Sequence, residues 1–296
     1  MLLIFLITWG TNFDYLNVGT GARPSALGNA FCALYDVNSV IFNPSALTQL
    51  YHGEILYMHT ELPAQTKYDY IAICKRFRNI PMGFGLIRVS TEWQQTTSGD
   101  TLPGTNYPEI VYLGTAKFLT EEYSLSFGHK IKDFSAGITF KFYRMELHKS
   151  KGWGAGFNFG IFYSAPKIHL PASALRIYTG IRISDIFTRI KWNTGYTDKL
   201  KPSADIGFAL SYWEGYDVLL WTLQISRVLS SGYPFTFHTG LEWSVVREVK
   251  LRFGLDSGKF ACGLGLNYRN LGINYAYSTH PEFKNTHKLD FLFKMK

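Results

Sequence analysis

The chain has 296 residues, of which 46% are hydrophobic, 17% aromatic and 18% charged, and its net charge is +8. No apolar run reaches the 18 residues that suggest a membrane-spanning helix, and the many aromatic residues exclude a disordered chain. The basic residues are scattered, which argues against a nucleic-acid partner and suits contact with anionic lipid. Low charge with 27 glycines is typical of a barrel that alternates apolar and polar residues.

The chain begins with a short apolar run at residues 2–7. This length suits the apolar core of a secretory signal peptide and is too short for a membrane helix. A preceding basic residue and an A-x-A cleavage site are both missing. We therefore expect a truncated signal peptide at residues 1–12, with an ordinary first strand as the alternative.

Residues 13–50 lack the two-residue period found in the rest of the chain. A glycine-rich loop precedes a predicted helix that has Ser25 as its N-cap and runs through Leu34, and Asn43 is predicted to cap a second helix. A small helical segment before a barrel packs most readily inside the lumen, so this region is predicted to be a plug. The residues of this plug motif are Gly19, Gly21, Arg23, Gly28, Ala30, Asn43 and Pro44.

The glycine-rich loop has a second interpretation as a phosphate cradle. It does not follow a buried strand, and it lacks the Lys-Ser/Thr pair of a P-loop. We therefore expect no nucleotide site here. Arg23 is predicted to donate to carbonyl or carboxylate oxygens within the plug, which is a structural role.

From residue 52 onward the hydrophobic period is two. Val249, Leu251 and Phe253, for example, alternate with Lys250 and Arg252. An even number of strands, about fourteen, is predicted, as an antiparallel barrel of one bacterial chain requires. They begin near Gly53, Lys67, Pro81, Glu122, Asp133, Gly152, Leu175, Pro202, Asp217, Pro234, Glu248, Gly258, Gly272 and His287.

Long connections are predicted at residues 91–120, 164–174 and 187–201. Residues 109–118 are apolar enough for a strand, but we interpret them as part of the first connection because residues 94–106 are polar and rich in Gly and Thr. Short turns are expected on the periplasmic side and long loops outside.

A soluble sandwich would show the same alternation with its apolar face inward. The apolar faces here are roughly ten residues long, as a tilted membrane crossing needs, and the other face suits a wet lumen. The predicted fold is therefore an all-β, closed antiparallel transmembrane β-barrel of about 14 strands, formed by residues 51–296. The small N-terminal helical plug lies in its lumen.

Alternation places a set of polar residues on the lumen face. The carboxylates Asp205, Glu242, Asp256 and Asp290 are predicted to pair with Lys250, Arg252, Arg269 and Lys288. His238 is predicted to face the lumen as a packing or hydrogen-bonding residue. Such pairs either stiffen the wall, which we favour, or line a polar path.

Nothing in the sequence points to catalysis. A lipid hydrolase needs a serine beside a histidine, but no G-x-S-x-G elbow is present and no pair is brought together by the sequence. The three cysteines form no C-x-x-C pair. We expect no catalytic residues, no cofactor and no metal.

Residues 15–24, 27–31 and 43–47 together resemble the start of the PorV/PorQ family of outer-membrane proteins, relatives of FadL-type transporters. Ser45 stands where the family pattern has alanine. The resemblance covers nearly the whole chain after the signal segment. It implies a fourteen-stranded barrel with an N-terminal plug in the bacterial outer membrane.

The resemblance implies two different functions. PorV-like members are carriers in type IX protein secretion, whose partners are secreted cargo proteins or other secretion components, and this is our leading hypothesis. FadL-like relatives are passive channels for hydrophobic small molecules. A purely structural barrel is the third alternative. All three place the chain against outer-membrane lipid and none involves nucleic acid.

Overall fold

The computed structural model describes residues 19–62, 65–101, 108–214, 217–279 and 285–295. The expected signal peptide at residues 1–12 and residues 13–18 of the expected plug lie outside these ranges. In the described ranges, sixteen strands form one sheet in which neighbouring strands run antiparallel.

Fourteen strands form the wall. They are β1 Gly53–Leu62, β2 Thr66–Phe77, β3 Ile80–Thr101, β4 Pro108–Ile131, β5 Phe134–Leu147, β6 Ser150–Ser164, β8 Ser173–Trp192, β10 Ser203–Glu214, β11 Asp217–Val228, β12 Thr236–Ser244, β13 Val249–Asp256, β14 Lys259–Tyr268, β15 Leu271–Ser278 and β16 Thr286–Met295. Two short strands, β7 (Ile168–His169) and β9 (Thr197–Lys199), pair only with β8.

The sheet closes on itself. The last strand pairs with the first, from Met295 opposite Gly53 to Leu289 opposite His59. On the other side of the wall β8 pairs directly with β10. The predicted closed antiparallel barrel of fourteen strands is therefore confirmed. Among the described wall strands, closure pairs both edges of each strand, and an unpaired backbone group at membrane depth would be costly.

Alternation sets the two surfaces of the wall. Between β12 and β13, Leu241 lies opposite Phe253 on the outer surface, and Glu242 lies opposite Arg252 on the inner surface. The Phe253 side chain is 49% exposed, whereas Arg252 is 2% exposed. A soluble sandwich would bury Phe253 and its equivalents, so the outward apolar belt supports a barrel that faces hydrocarbon.

Thirteen of the predicted strand starts lie within two residues of the observed ones. The exception is β4, which begins at Pro108 rather than near Glu122, so the interpretation of residues 109–118 as loop is wrong. β3 and β4 continue to pair with each other past the ends of β2 and β5, and this extension forms a projecting hairpin. Antiparallel pairing satisfies their backbone even in a polar stretch, and threonine favours strands. β8 likewise extends to Trp192, into the connection predicted at residues 187–201.

Three short helical segments precede the barrel: α1 (Ala22–Ala26), α2 (Ser39–Phe42) and a 3₁₀ helix (Pro44–Gln49). None of the described helices is long and apolar enough to cross a membrane. The helix predicted from Ser25 through Leu34 is wrong, because the helical segment runs only from Ala22 to Ala26 with Ser25 inside it, and left-handed φ angles at Gly28 and Asn29 follow it. The second prediction is confirmed, since Pro44 opens the 3₁₀ helix and the Asn43 side chain accepts from Ser45 N.

Candidate functional site

The plug lies in the lumen against a row of inward-facing glycines. At each of them an added Cβ would lie within 3.1 Å of a plug atom. These glycines are Gly83, Gly85, Gly128, Gly137, Gly160, Gly180, Gly207, Gly240, Gly254 and Gly263. Gly137 is directly opposite both Gly128 and Gly160, so these three members are direct neighbours on adjacent strands. We call this set the glycine ring.

The glycine ring lets plug backbone touch wall backbone. At Gly254 an added Cβ would meet Gly28 N, the Leu27 carbonyl carbon and the Ala26 carbonyl oxygen. At Gly137 it would meet backbone atoms of Pro44 and Ser45. Backbone cannot rotate away as a flexible side chain can, so these positions admit no side chain without displacing the plug.

The wall strands that carry no glycine of this ring contact the plug through side chains. Glu54 of β1 accepts from Val37 N at 2.9 Å, and Tyr68 of β2 bonds to Thr20 at 2.8 Å. On β11, Gln224 Oε1 accepts from two successive plug amides, those of Phe31 and Cys32. With Ala276 on β15 and Asp290 on β16 also in contact, every wall strand touches the plug.

The strongest plug–wall link centres on Glu242. Arg23 of the plug donates to both Glu242 oxygens at 2.9 and 3.0 Å and to Asp36 at 3.0 Å. Arg252 donates to Glu242 at 2.6 Å, and Lys250 lies 3.7 Å from it. Burial opposes the charge of Arg23, but Glu242 and Asp36 outweigh it and raise the pKa of the guanidinium above its ordinary value.

From Arg252 the polar network returns to the plug. Arg252 donates to Asn274, which donates to Asp290 at 2.7 Å, and Asp290 accepts from Ala22 N at 2.8 Å. Lys288 donates to Gly19 O and to Ser25 Oγ. A buried polar network is favourable only when its members find partners, and these groups find them across the plug–wall contact.

Most lumen residues predicted from alternation do face the lumen. Glu242 pairs with Arg252 and Lys250 as predicted, whereas the other carboxylates have partners that were not predicted. Asp205 pairs with Arg182 at 2.6 Å. Asp256 lies 2.9 Å from His238 and also accepts from Asn29. Arg269 was expected in the lumen and is instead exposed.

The reason for the error at Arg269 is local. Its φ of 54° places it in the turn between β14 and β15, where strand alternation has ended, and it stacks over Tyr268. Sequence reasoning also missed Arg182, Gln224 and Asn274. Alternation along β8, β11 and β15 was the signal that could have found them.

A cluster of inward-facing apolar residues lies between the plug and the end of the barrel from which the β3–β4 hairpin projects. Tyr143, Met145 and Ile190 pack together with Phe118, Trp192 and Leu200. We call these six residues the upper apolar cluster. Beside it Lys141 lies 3.2 Å from Glu122 and 3.1 Å from Asp185, and Tyr143 donates to Asp185 at 3.0 Å.

The wall is irregular beside this cluster. The β6–β8 register shifts twice, between Ala155 and Phe157 and between Phe157 and Phe159. Asp185 and Phe187 of β8 have φ angles of 57° and 53°, and Phe187 is 80% exposed on the outside. β-Bulges of this kind leave residues unpaired and re-aim side chains. We call this part of the wall the β6–β8 bulge.

No protein family profile matches the chain, and no curated protein matches it. Solved structures do share its fold. The toluene transporter TbuX of Ralstonia pickettii is 11% identical with a TM-score of 0.57, covering 95% of this chain and 100% of its own. The toluene transporter TodX of P. putida is 10% identical with a TM-score of 0.52, covering 93% and 97%. The monoaromatic hydrocarbon channel CymD is 8% identical with a TM-score of 0.51, covering 94% and 97%.

Proposed function

We propose that this barrel is an outer-membrane channel through which hydrophobic small molecules enter at one end and leave sideways through the wall. In this proposal residues 13–50 form the plug and residues 51–296 the barrel. The main support is that the plug touches every wall strand, so that in this proposal it blocks the route along the barrel axis. The wall beside the upper apolar cluster is irregular, which offers a route through its side. The fold shared with transporters of toluene and channels for monoaromatic hydrocarbons supports the same substrate class.

The upper apolar cluster suits an uncharged apolar guest. Leu200 lies in the connection that follows β8, and its backbone amide donates to the Thr188 carbonyl beside the bulge. Movement of this connection would open the cluster and the bulge together. Below it the buried carboxylates of Glu122 and Asp185 share one lysine. That excess of negative charge disfavours a carboxylate guest and favours a neutral one.

The test is a reversible cross-link at the bulge. Ala155 and Arg189 are directly paired across the β6–β8 seam. In the double variant Ala155→Cys/Arg189→Cys, oxidation should slow uptake of radiolabelled toluene by cells that express the protein, and reduction should restore it. The matched control joins a regular seam at Ile206→Cys/Ile225→Cys, where oxidation should not alter uptake. Equal uptake by the oxidised and reduced bulge variant would contradict the lateral route.

A second candidate is the carrier role in type IX secretion that the family resemblance implies. The projecting β3–β4 hairpin favours it, because beyond Thr91 and Phe118 both of its edges lack a neighbouring strand among the described residues. Exposed edges can pair with a strand of another protein. Detergent extracts of a strain with active type IX secretion should then yield co-purified exported proteins that share a C-terminal domain. Recovery of none would leave the channel as the remaining proposal.

A further inference from the structure

We propose that the outer surface of the barrel at β5, β6, β8 and β9 binds the phosphorylated headgroup of a membrane lipid. Five basic side chains, which we call the basic band, form this surface. They are Arg144, Lys151, Arg189, Lys191 and Lys199. All lie on the outward face, and all but Arg144 are classed as exposed, with the Arg144 side chain 42% exposed.

The strand register brings the basic band together. Arg144 of β5 is directly opposite Trp153 of β6, which is directly opposite Lys191 of β8. Two residues along β8, Arg189 is directly opposite Lys199 of β9. Trp153 is 62% exposed and its ring lies 5.7 Å from the Arg144 guanidinium. The side chains therefore occupy two adjoining rows of one surface.

The basic band borders the apolar belt. Farther toward the barrel middle, the outward side chains include Phe142 and Phe140 on β5 and Phe159 on β6, each at least 40% exposed. A tryptophan and basic side chains at such a border are typical of the headgroup level. The band lies at the end opposite Gly53 and Met295, where the connection 193–202 and the β3–β4 hairpin project. Long connections face outside in barrels of this type, so the band meets the outer leaflet.

The positive charge of the band is only partly balanced. Arg144 shares Glu121 with Arg88, and Lys151 lies 3.8 Å from Glu146. Within the described ranges, Arg189, Lys191 and Lys199 form no ion pair.

These unbalanced positive charges favour the binding of an external anion. Like charges directly opposite each other on neighbouring strands repel, as Arg189 and Lys199 do. A phosphate between them would relieve this repulsion and would accept charge-assisted hydrogen bonds from the guanidinium. A phosphorylated lipid also places its acyl chains on Phe142 and the belt below, which inorganic phosphate cannot do. The inference depends on the membrane-spanning fold and not on the proposed channel activity.

The experiment compares lipids that differ only in phosphate. The full-length protein, delipidated in a neutral detergent, is titrated with diphosphoryl lipid A and with the same lipid after removal of both phosphates, and bound lipid is counted by native mass spectrometry. We expect retention of the phosphorylated form alone. The triple variant Arg189→Gln/Lys191→Gln/Lys199→Gln should weaken this binding at least tenfold.

A matched triple variant removes the same charge from the opposite rim. Lys75→Gln/Arg78→Gln/Lys130→Gln changes three exposed basic residues there and should bind as the wild type does. Retained heat-modifiable migration on gels verifies that both variants keep the barrel. Equal binding of the dephosphorylated lipid, an equal loss in both variants, or complete displacement by millimolar inorganic phosphate would overturn the proposal.

Discussion

Substitution of Gly254 by alanine tests whether the glycine ring holds the plug in place. The added Cβ would lie closer than 3.0 Å to backbone atoms of Leu27 and Gly28. Overpacking usually costs about 1–3 kcal/mol, and contact with backbone rather than a flexible side chain places this substitution at the upper end. About 3 kcal/mol corresponds to roughly a 150-fold rise in the population with a displaced plug.

Cys32 of the plug reports this population. Its side chain is buried, so a maleimide reaches it when the plug leaves the wall, and burial also raises the pKa of the thiol above its ordinary value, which lowers its reactivity while the plug is seated. Labelling by maleimide, read by mass spectrometry at this cysteine, should therefore be slow in the wild type. When opening and closing are fast compared with labelling, the rate follows the open population. The Gly254→Ala variant should be labelled up to about 150-fold faster.

Gly152→Ala is the matched control. Gly152 also faces the lumen, but its added Cβ would meet the side chains of Trp192 and Ile190 at 3.0–3.1 Å and no plug atom. Cys32 labelling in this variant should stay at the wild-type rate. If Gly254→Ala and the wild type label at the same rate, the plug is not seated by backbone contact and the reasoning fails.

Three other substitutions test separate parts of the structure. Glu242→Gln removes the carboxylate that pairs with the buried Arg252 and one of the two that pair with Arg23, and should cost about 3–5 kcal/mol, measured as a lower urea midpoint of Cys32 protection. Asn43→Ala removes the 3₁₀ cap and its bond to Cys32 O, and should cost about 1–2 kcal/mol in the same assay. Leu264→Lys places a charge in the outward belt and should lower the free energy of unfolding in liposomes by about 2–4 kcal/mol. Tyr268→Lys, at the end of the same strand, should cost about 0–1 kcal/mol, and equal losses would place the belt elsewhere.

Sequence reasoning succeeded where the controlling interaction is local. Each strand of a barrel alternates between lipid and lumen, so a two-residue period marks both the strand and its lumen face. His238 and Glu242 were placed correctly on this basis. The Asn43-Pro44 cap is equally local, because a side chain and a ring bound to adjacent residues decide it.

Prediction failed where pairing with a distant strand decides the outcome. The polar stretch after Thr91 continues as strand because β3 and β4 pair with each other, and no local signal carries that information. Arg269 was assigned to the lumen because the period was extended by one residue into a turn. The start of α1 was misplaced because the helix follows Gly21, whose φ of 85° favours glycine, while Ser25 lies inside the helix and accepts from Lys288 of the wall.

The amino-acid sequence by itself determined the strand number, the apolar outer belt and the presence of a short capped segment before the barrel. These features follow from the chemistry of neighbouring residues. Only the tertiary structure decided that ten inward glycines meet the plug and that Glu242 binds Arg23, 219 positions away. The stagger of strands on closure sets which inward residues share a level, and that stagger is a property of the whole ring.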